Sequence, residues 1–167
     1  MNIYEIDWRH SSIREILNAI SAALVKITND ESHEDVDEAL EQLESFLGIA
    51  FVTAQTYITG TAVDARKLTK STPKPNKHDL LKNFSDVISG TGVTKMKLCD
   101  ATANYYKHHD EWLDWTPNPT ERRKHTIDVL NGVGITETTT YPCQEAANIL
   151  WGSNAADLEP LLSILVE

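Results

Sequence analysis

The amino-acid sequence predicts an all-α fold, an irregular bundle of six or seven helices around a long helical hairpin. Three observations carry this. Apolar residues recur at three- and four-residue spacing along most of the chain, and helix start and stop signals punctuate the pattern. Only Thr136–Tyr141 is β-branched enough to be extended, and one short strand without a partner does not make a sheet.

Ile13, Ile16, Leu17, Ile20, Leu24 and Ile27 define the first helix, with Ser12 and Glu15 as a capping box at its start and Asn29–Asp30 at its end. Ser32 is the expected cap of the second, whose early acids suit the positive end of the helix dipole. Its stripe runs Val36, Leu40, Leu43, Leu47, Ala50, Phe51, Ala54, Tyr57 and Ile58 and continues to Leu68, with Gly60 the natural place for a break or kink. A basic, mobile loop is expected near residues 69–77, with Pro73 and Pro75. Leu80, Leu81, Phe84, Val87 and Ile88 then give a short helix ended by Gly90 and Gly92.

Thr94 opens the next helix, and Pro117 closes that region. Asn118, Pro119 and Glu121 read as cap, first position and first-turn acid of a helix that stops at Asn131–Gly132. Pro142 starts a helix that runs to Trp151 and stops at Gly152. Asn154 is the expected cap of the last one, whose stripe is Leu158, Leu161, Leu162 and Leu165. Residues 1–167 therefore read as one all-helical domain with enough apolar residues for a core.

Composition narrows the function classes. Cys99 and Cys143 suggest neither a disulfide framework nor a thiolate metal site, and both read as small buried apolar residues. No apolar run approaches the ~20 residues of a membrane span, and the N-terminal residues lack a signal-peptide pattern, so a cytoplasmic protein is expected. The net charge of −10 is unevenly placed. No Lys or Arg lies between Lys26 and Arg66, where Glu34, Asp37, Glu38, Glu41 and Glu44 cluster. Twelve of the fifteen basic residues fall from Arg66 to Lys124. Such a surface repels a phosphate backbone and steers a basic protein toward the acids, unless these simply form a solvated helix face.

The stretch densest in chemistry is Asn104-Tyr105-Tyr106-Lys107-His108-His109-Asp110-Glu111-Trp112. Continued as a helix, it puts His108 on the apolar side after Leu98, Ala101 and Tyr105, with Asn104 close enough to hydrogen-bond its ring. His109 is placed beside Tyr105 and Trp112, while Lys107 and Asp110 face outward. The structural reading is that His108 packs and His109 lies at the boundary. The chemical reading is acid–base work on a ribose 2′-hydroxyl by the two histidines, with Asn104 and Tyr105 orienting them and Lys107 offsetting phosphate charge.

This helix, following a long helical hairpin, resembles the HEPN superfamily, many members of which are metal-independent ribonucleases that dimerise. Asn104 matches the polar position of their signature, and His108 or His109 falls at an allowed spacing. The signature arginine position holds Ala103. The resemblance implies a catalytic set of His108, His109, Asn104, Tyr105 and Lys107, a possible homodimer, and no cofactor or metal.

Other patterns are weaker. Residues His108 to Glu111 cannot all face one metal ion, because neighbours on a helix point about 100° apart. Glu38 with Glu41 and Glu111 with Asp114 have a pyrophosphatase-like spacing, but the first pair lies off the apolar stripe. Arg122-Arg123-Lys124-His125 is a basic patch that reads as a solvated face or a phosphate contact at a helix start. Trp112 and Trp115 read as core or as an interface anchor. Two functions are carried forward. The first is a non-enzymatic acidic protein that binds and neutralises a basic partner, as an immunity protein or antitoxin does, through Glu34, Asp37, Glu38, Glu41, Trp112 and Trp115. The alternative is a HEPN-like ribonuclease, the only reading that brings in nucleic acid.

Overall fold

The computed structural model describes residues 8–30, 36–68, 74, 76–83, 85–112, 115, 120–152 and 154–166. These form seven α-helices: α1 (Arg9–Thr28), α2 (Val36–Leu68), α3 (Lys77–Asn83), α4 (Lys95–His108), α5 (Glu121–Asn131), α6 (Pro142–Trp151) and α7 (Glu159–Val166). A 3-10 turn, His109–Glu111, follows α4. The all-α class is as expected, and no strand occurs among the described residues beyond an isolated Val87–Thr94 bridge.

Helices α1 and α2 form the long antiparallel hairpin. Ile13, Leu17, Ile20 and Leu24 bury one face of α1 along α2. Arg9 at the start of α1 ion-pairs with Asp64 near the end of α2, at the open end of the hairpin. That contact also corrects the expectation at Gly60, because α2 runs through it unbroken. The missing side chain makes room for Arg9, whose guanidinium would meet a Cβ there. By length and composition α2 is also apolar enough to cross a membrane. Here its apolar face is used internally: Leu47, Ala50, Phe51, Ala54, Tyr57 and Ile58 are buried against α1, α4, α6 and α7.

Helix α4 threads the middle of the bundle, touching α2, α3, α5, α6 and α7. Residues 96 and 98–103 are all buried, so its apolar surface extends beyond the single stripe read from spacing. Each fully buried large apolar side chain on such a helix contributes about 1.5–3 kcal/mol. Thr94 caps it as expected, accepting from Lys97 N at 3.3 Å and donating to Leu81 O.

Several ends differ from the sequence reading. Helix α1 starts at Arg9, with no side-chain cap at Trp8, so Ser12 lies inside it. Helix α3 stops at Asn83, because Val87 and Ile88 instead pair with Thr94 and Val93 across a turn in which Gly90 and Gly92 take positive φ. The cap of α5 is Thr120, which accepts from Arg123 N at 3.4 Å. The expected features at Ser32, Asn118, Pro119 and most of the 69–77 loop lie outside the described residues. Thr136–Thr139 is a turn closed by hydroxyl contacts, with Thr136 N donating to Thr139 Oγ1 at 3.0 Å. Helix α7 begins at Glu159, whose N–H bonds Asp157 at 3.0 Å, in place of a start at Asn154. Cys99 and Cys143 are buried thiols, as expected; burial pushes Cys99 up to about 12.

Candidate functional site

Residues 98–103 of α4 are all buried, and its last turn brings the central helix out to the surface. Asn104, Tyr105 and Tyr106 are half-buried, and the residues from Lys107 to Glu111 are largely exposed. The α-helix ends at His108, whose φ of −127° leaves the helical region, and the 3-10 turn that follows closes with Trp112 N on His109 O at 2.9 Å. Helical extrapolation past this point therefore fails. His108 does not face the core; its side chain is 48% exposed and its Nδ1 lies 3.4 Å from Glu111.

Asn104 does not hold the His108 ring either. It belongs to a polar network between α2 and α4, in which the buried Gln55 amide donates to Asp100 Oδ1 at 2.6 Å and to Asn104 Oδ1 at 2.9 Å. Gln55 Oε1 in turn accepts from Lys107 Nζ at 2.6 Å, and Lys77 ion-pairs with Asp100. Lys107 thus bends back toward the interior, where the outward orientation had been expected. Burial, and then the nearby Lys77, pull its pKa down, partly offset by Asp100. Gln55 was not singled out from sequence. The available signal was an amide at the end of a core-facing run, next to Ala54.

The end of α4 separates two cavities of opposite character. On one side a cavity of about 770 Å³ lies between α4 and the start of α5. Lys107, His108, Arg122, Arg123 and His125 line it, with Glu111, Glu121 and Trp112. The Arg122–His125 patch is therefore not wholly a solvated face: Arg123 turns inward and lays its guanidinium 4.9 Å from the Trp112 ring centroid.

On the other side a cleft of about 500 Å³ is walled by Tyr105, Tyr106 and Tyr141, with Glu41, Glu44 and Asp110. His109 belongs to this cleft, its ring stacked on Tyr106 at 5.8 Å and tilted on Tyr105 at 5.6 Å, with Nδ1 held by Tyr106 O at 2.8 Å. The two histidines of the motif open into different cavities. Acid–base chemistry by a His108/His109 pair on one phosphodiester is not favoured by this placement.

The tyrosine cleft has a specific local cause. Tyr106 lies flat against Gly48 of α2, where a Cβ would overlap its ring. Burial raises the hydroxyl pKa of Tyr106, and that of Tyr105 to about 12, with the nearby Glu44 and Asp110 acting in the same direction. Asp37, Glu38 and Glu41 are exposed on the first turns of α2. Asp37, Glu41 and Glu44 share a helix face at three- and four-residue spacing, which leads into the cleft. Glu44 is committed to structure, its carboxylate accepting from Cys143 N at 2.7 Å and Gln144 N at 3.0 Å. It thereby supplies the side-chain cap that Tyr141 does not give to α6. Tyr141 and this cap were invisible in the sequence, because they join residues about a hundred positions apart.

Trp112 and Trp115 are half-buried, and both meet the Tyr105 ring edge-on, at 5.9 and 6.2 Å. They brace the cleft from behind. Glu34 and Asp114 lie outside the described residues. Ala103, at the signature arginine position, is 0% exposed and faces the core. Among the described residues no group of three or more His, Cys, Asp or Glu is placed to hold a metal ion. No protein-family model, curated protein or solved structure matches the chain.

Proposed function

We propose that this is a binding protein that captures a basic protein partner through the acidic face of α2 and the tyrosine cleft, and masks the partner's cationic surface as an immunity protein or antitoxin does. The observation that carries this is the cleft itself: the carboxylates of Glu41 and Asp110, the latter beside His109, line it together with the rings of Tyr105, Tyr106 and Tyr141. Carboxylates take a lysine or arginine by charge-assisted hydrogen bonds, and tyrosine rings give the methylene stem of such a side chain an apolar wall to lie along. The ridge of Asp37, Glu38 and Glu41 extends the negative field beyond the cleft and would speed the encounter.

The test compares wild type with the triple charge reversal Asp37→Lys/Glu38→Lys/Glu41→Lys and with Tyr106→Ala. Each is titrated with a synthetic arginine-rich peptide and with any protein that wild type captures from its source cells. The reading requires the triple variant to lose peptide binding while keeping its helical circular dichroism and cooperative unfolding. It requires Tyr106→Ala to weaken binding by about tenfold, the scale of one aromatic truncated at an interface, here the ring on which His109 is stacked. Unchanged affinity in the triple variant refutes it. Peptide binding should also weaken steeply with salt, because the acids are exposed.

A further inference from the structure

The cavity on the opposite side of α4 has the reverse chemistry. Three basic side chains, Lys107, Arg122 and Arg123, meet there, with the imidazoles of His108 and His125 beside them. Two carboxylates share the space, Glu111 against His108 and Glu121 on the first turn of α5. Arg123 is the informative group. Its Nε and Nη2 atoms are shielded from solvent and have no hydrogen-bond partner among the described residues, while its guanidinium face rests on Trp112. An arginine carries five N–H donors, and a buried donor without an acceptor costs about 1–3 kcal/mol, more where the group is charged. Lys107 uses Gln55 as acceptor, and Lys77 lies close enough to repel it. Each of these strains is relieved by an anion seated between the two helices.

We propose that this cavity binds a phosphate ester of about nucleotide size, its phosphate held by Lys107, Arg122 and Arg123. The cavity volume of about 770 Å³ falls in the range of small-molecule sites, far more than a bare phosphate fills. Arginine is the side chain that matches phosphate oxygens in a bidentate way, and the first turn of α5 adds the favourable end of a helix dipole. The imidazoles of His108 and His125 supply further donors to a phosphate dianion when protonated. The ester can come as a free nucleotide or as part of an RNA strand.

The test is calorimetric titration of wild type, Arg122→Gln, Arg123→Gln and the remote control Lys82→Gln with three probes: inorganic phosphate, adenosine 5′-monophosphate and a single-stranded oligoadenylate. Wild type and the control should bind the mononucleotide more tightly than inorganic phosphate. Arg122→Gln and Arg123→Gln should each lose about tenfold or more, the scale of a lost charge-assisted hydrogen bond. Arg122 is exposed, so its variant remains informative if Arg123→Gln unfolds. A mononucleotide that outbinds the oligonucleotide per phosphate identifies a small-molecule site, and the reverse order identifies an RNA site. Absence of binding by all three probes at millimolar concentration, or binding that both arginine variants retain, overturns the proposal.

Discussion

Replacing Gln55 with leucine tests whether the polar network between α2 and α4 holds the end of the central helix in place. Leucine is close in size to glutamine, so the change removes hydrogen bonds with little change in volume. Three acceptors lose a donor, Asp100 Oδ1 at 2.6 Å, Asp100 O at 3.2 Å and Asn104 Oδ1 at 2.9 Å, and Lys107 loses its acceptor at 2.6 Å. Asp100 is buried but retains Lys77, while Asn104 and Lys107 lie near enough to the surface to rehydrate. The loss at a charged buried acceptor is about 1.5–3 kcal/mol and that at Asn104 about 0.5–1 kcal/mol, against about 1 kcal/mol regained by burying leucine. The expected net cost is about 2 kcal/mol. Urea unfolding should show it as a lower midpoint with unchanged slope, and thermal unfolding as a fall of about 4–8 °C. A double-mutant cycle with Lys107→Met should return a coupling of about 0.5–1.5 kcal/mol. A cost below about 0.5 kcal/mol with no coupling would refute the idea that Gln55 positions this helix end.

Two further outcomes follow from the cleft. Gly48→Ala sets a helix-propensity gain of about 1 kcal/mol against displacement of the Tyr106 ring, which costs about 1–3 kcal/mol. A net loss of about 1 kcal/mol and a changed near-ultraviolet tyrosine signal are expected; a stabilised variant would mean that Tyr106 does not seat on Gly48. Tyr105 has its pKa raised from 10.0 to about 12 in the folded chain, so its contribution is fully present below pH 10 and is lost as pH rises through 12. Tyr105→Phe should flatten the fall in unfolding free energy between pH 10 and 12 by about 1 kcal/mol, less than the full two-unit linkage because the ring is only half-buried. An unchanged slope would show that this hydroxyl does not titrate differently on folding.

Periodic apolar residues made the helices legible, since tertiary packing buries the same stripes that spacing displays: Ile13, Leu17, Ile20 and Leu24 are one case and Leu161, Leu162 and Leu165 another. One cap supplied from the neighbouring sequence was also legible, Thr94, whereas Ser12 lies inside α1 and α7 starts at Glu159 rather than after Asn154. Three kinds of feature were not. A helix that changes pitch gives no periodic warning, so His108 was carried onto the wrong face by assuming that α4 continues into the 3-10 turn. A cap lent across the chain, such as Glu44 at the start of α6, leaves no local signature. A glycine inside a helix reads as a weak point, yet Gly48 and Gly60 are kept by what packs over them, Tyr106 and Arg9. The motif's residues lie together at the end of α4. Their division between two cavities depends on where the helix stops.

The two proposed sites also bear on each other through charge. A chain of net charge −10 is a poor host for a polyanion, because phosphates beyond the cavity leave the cations of Lys107, Arg122 and Arg123 behind and meet a surface of net negative charge within the ~8 Å over which physiological salt leaves charges visible. A single phosphate ester escapes most of that penalty, since only the cavity walls lie within the same distance. The same acidic shell favours a basic protein on the other side of α4. The arrangement therefore selects against long nucleic acid on both faces, and a mononucleotide should outbind the oligonucleotide per phosphate at low salt. Position 103 adds to this argument. With Ala103 in the core, an arginine there would bury its guanidinium away from either opening. The cations that meet a phosphate in this fold must come from the turn at Lys107 and the start of α5, which is where Arg122 and Arg123 stand.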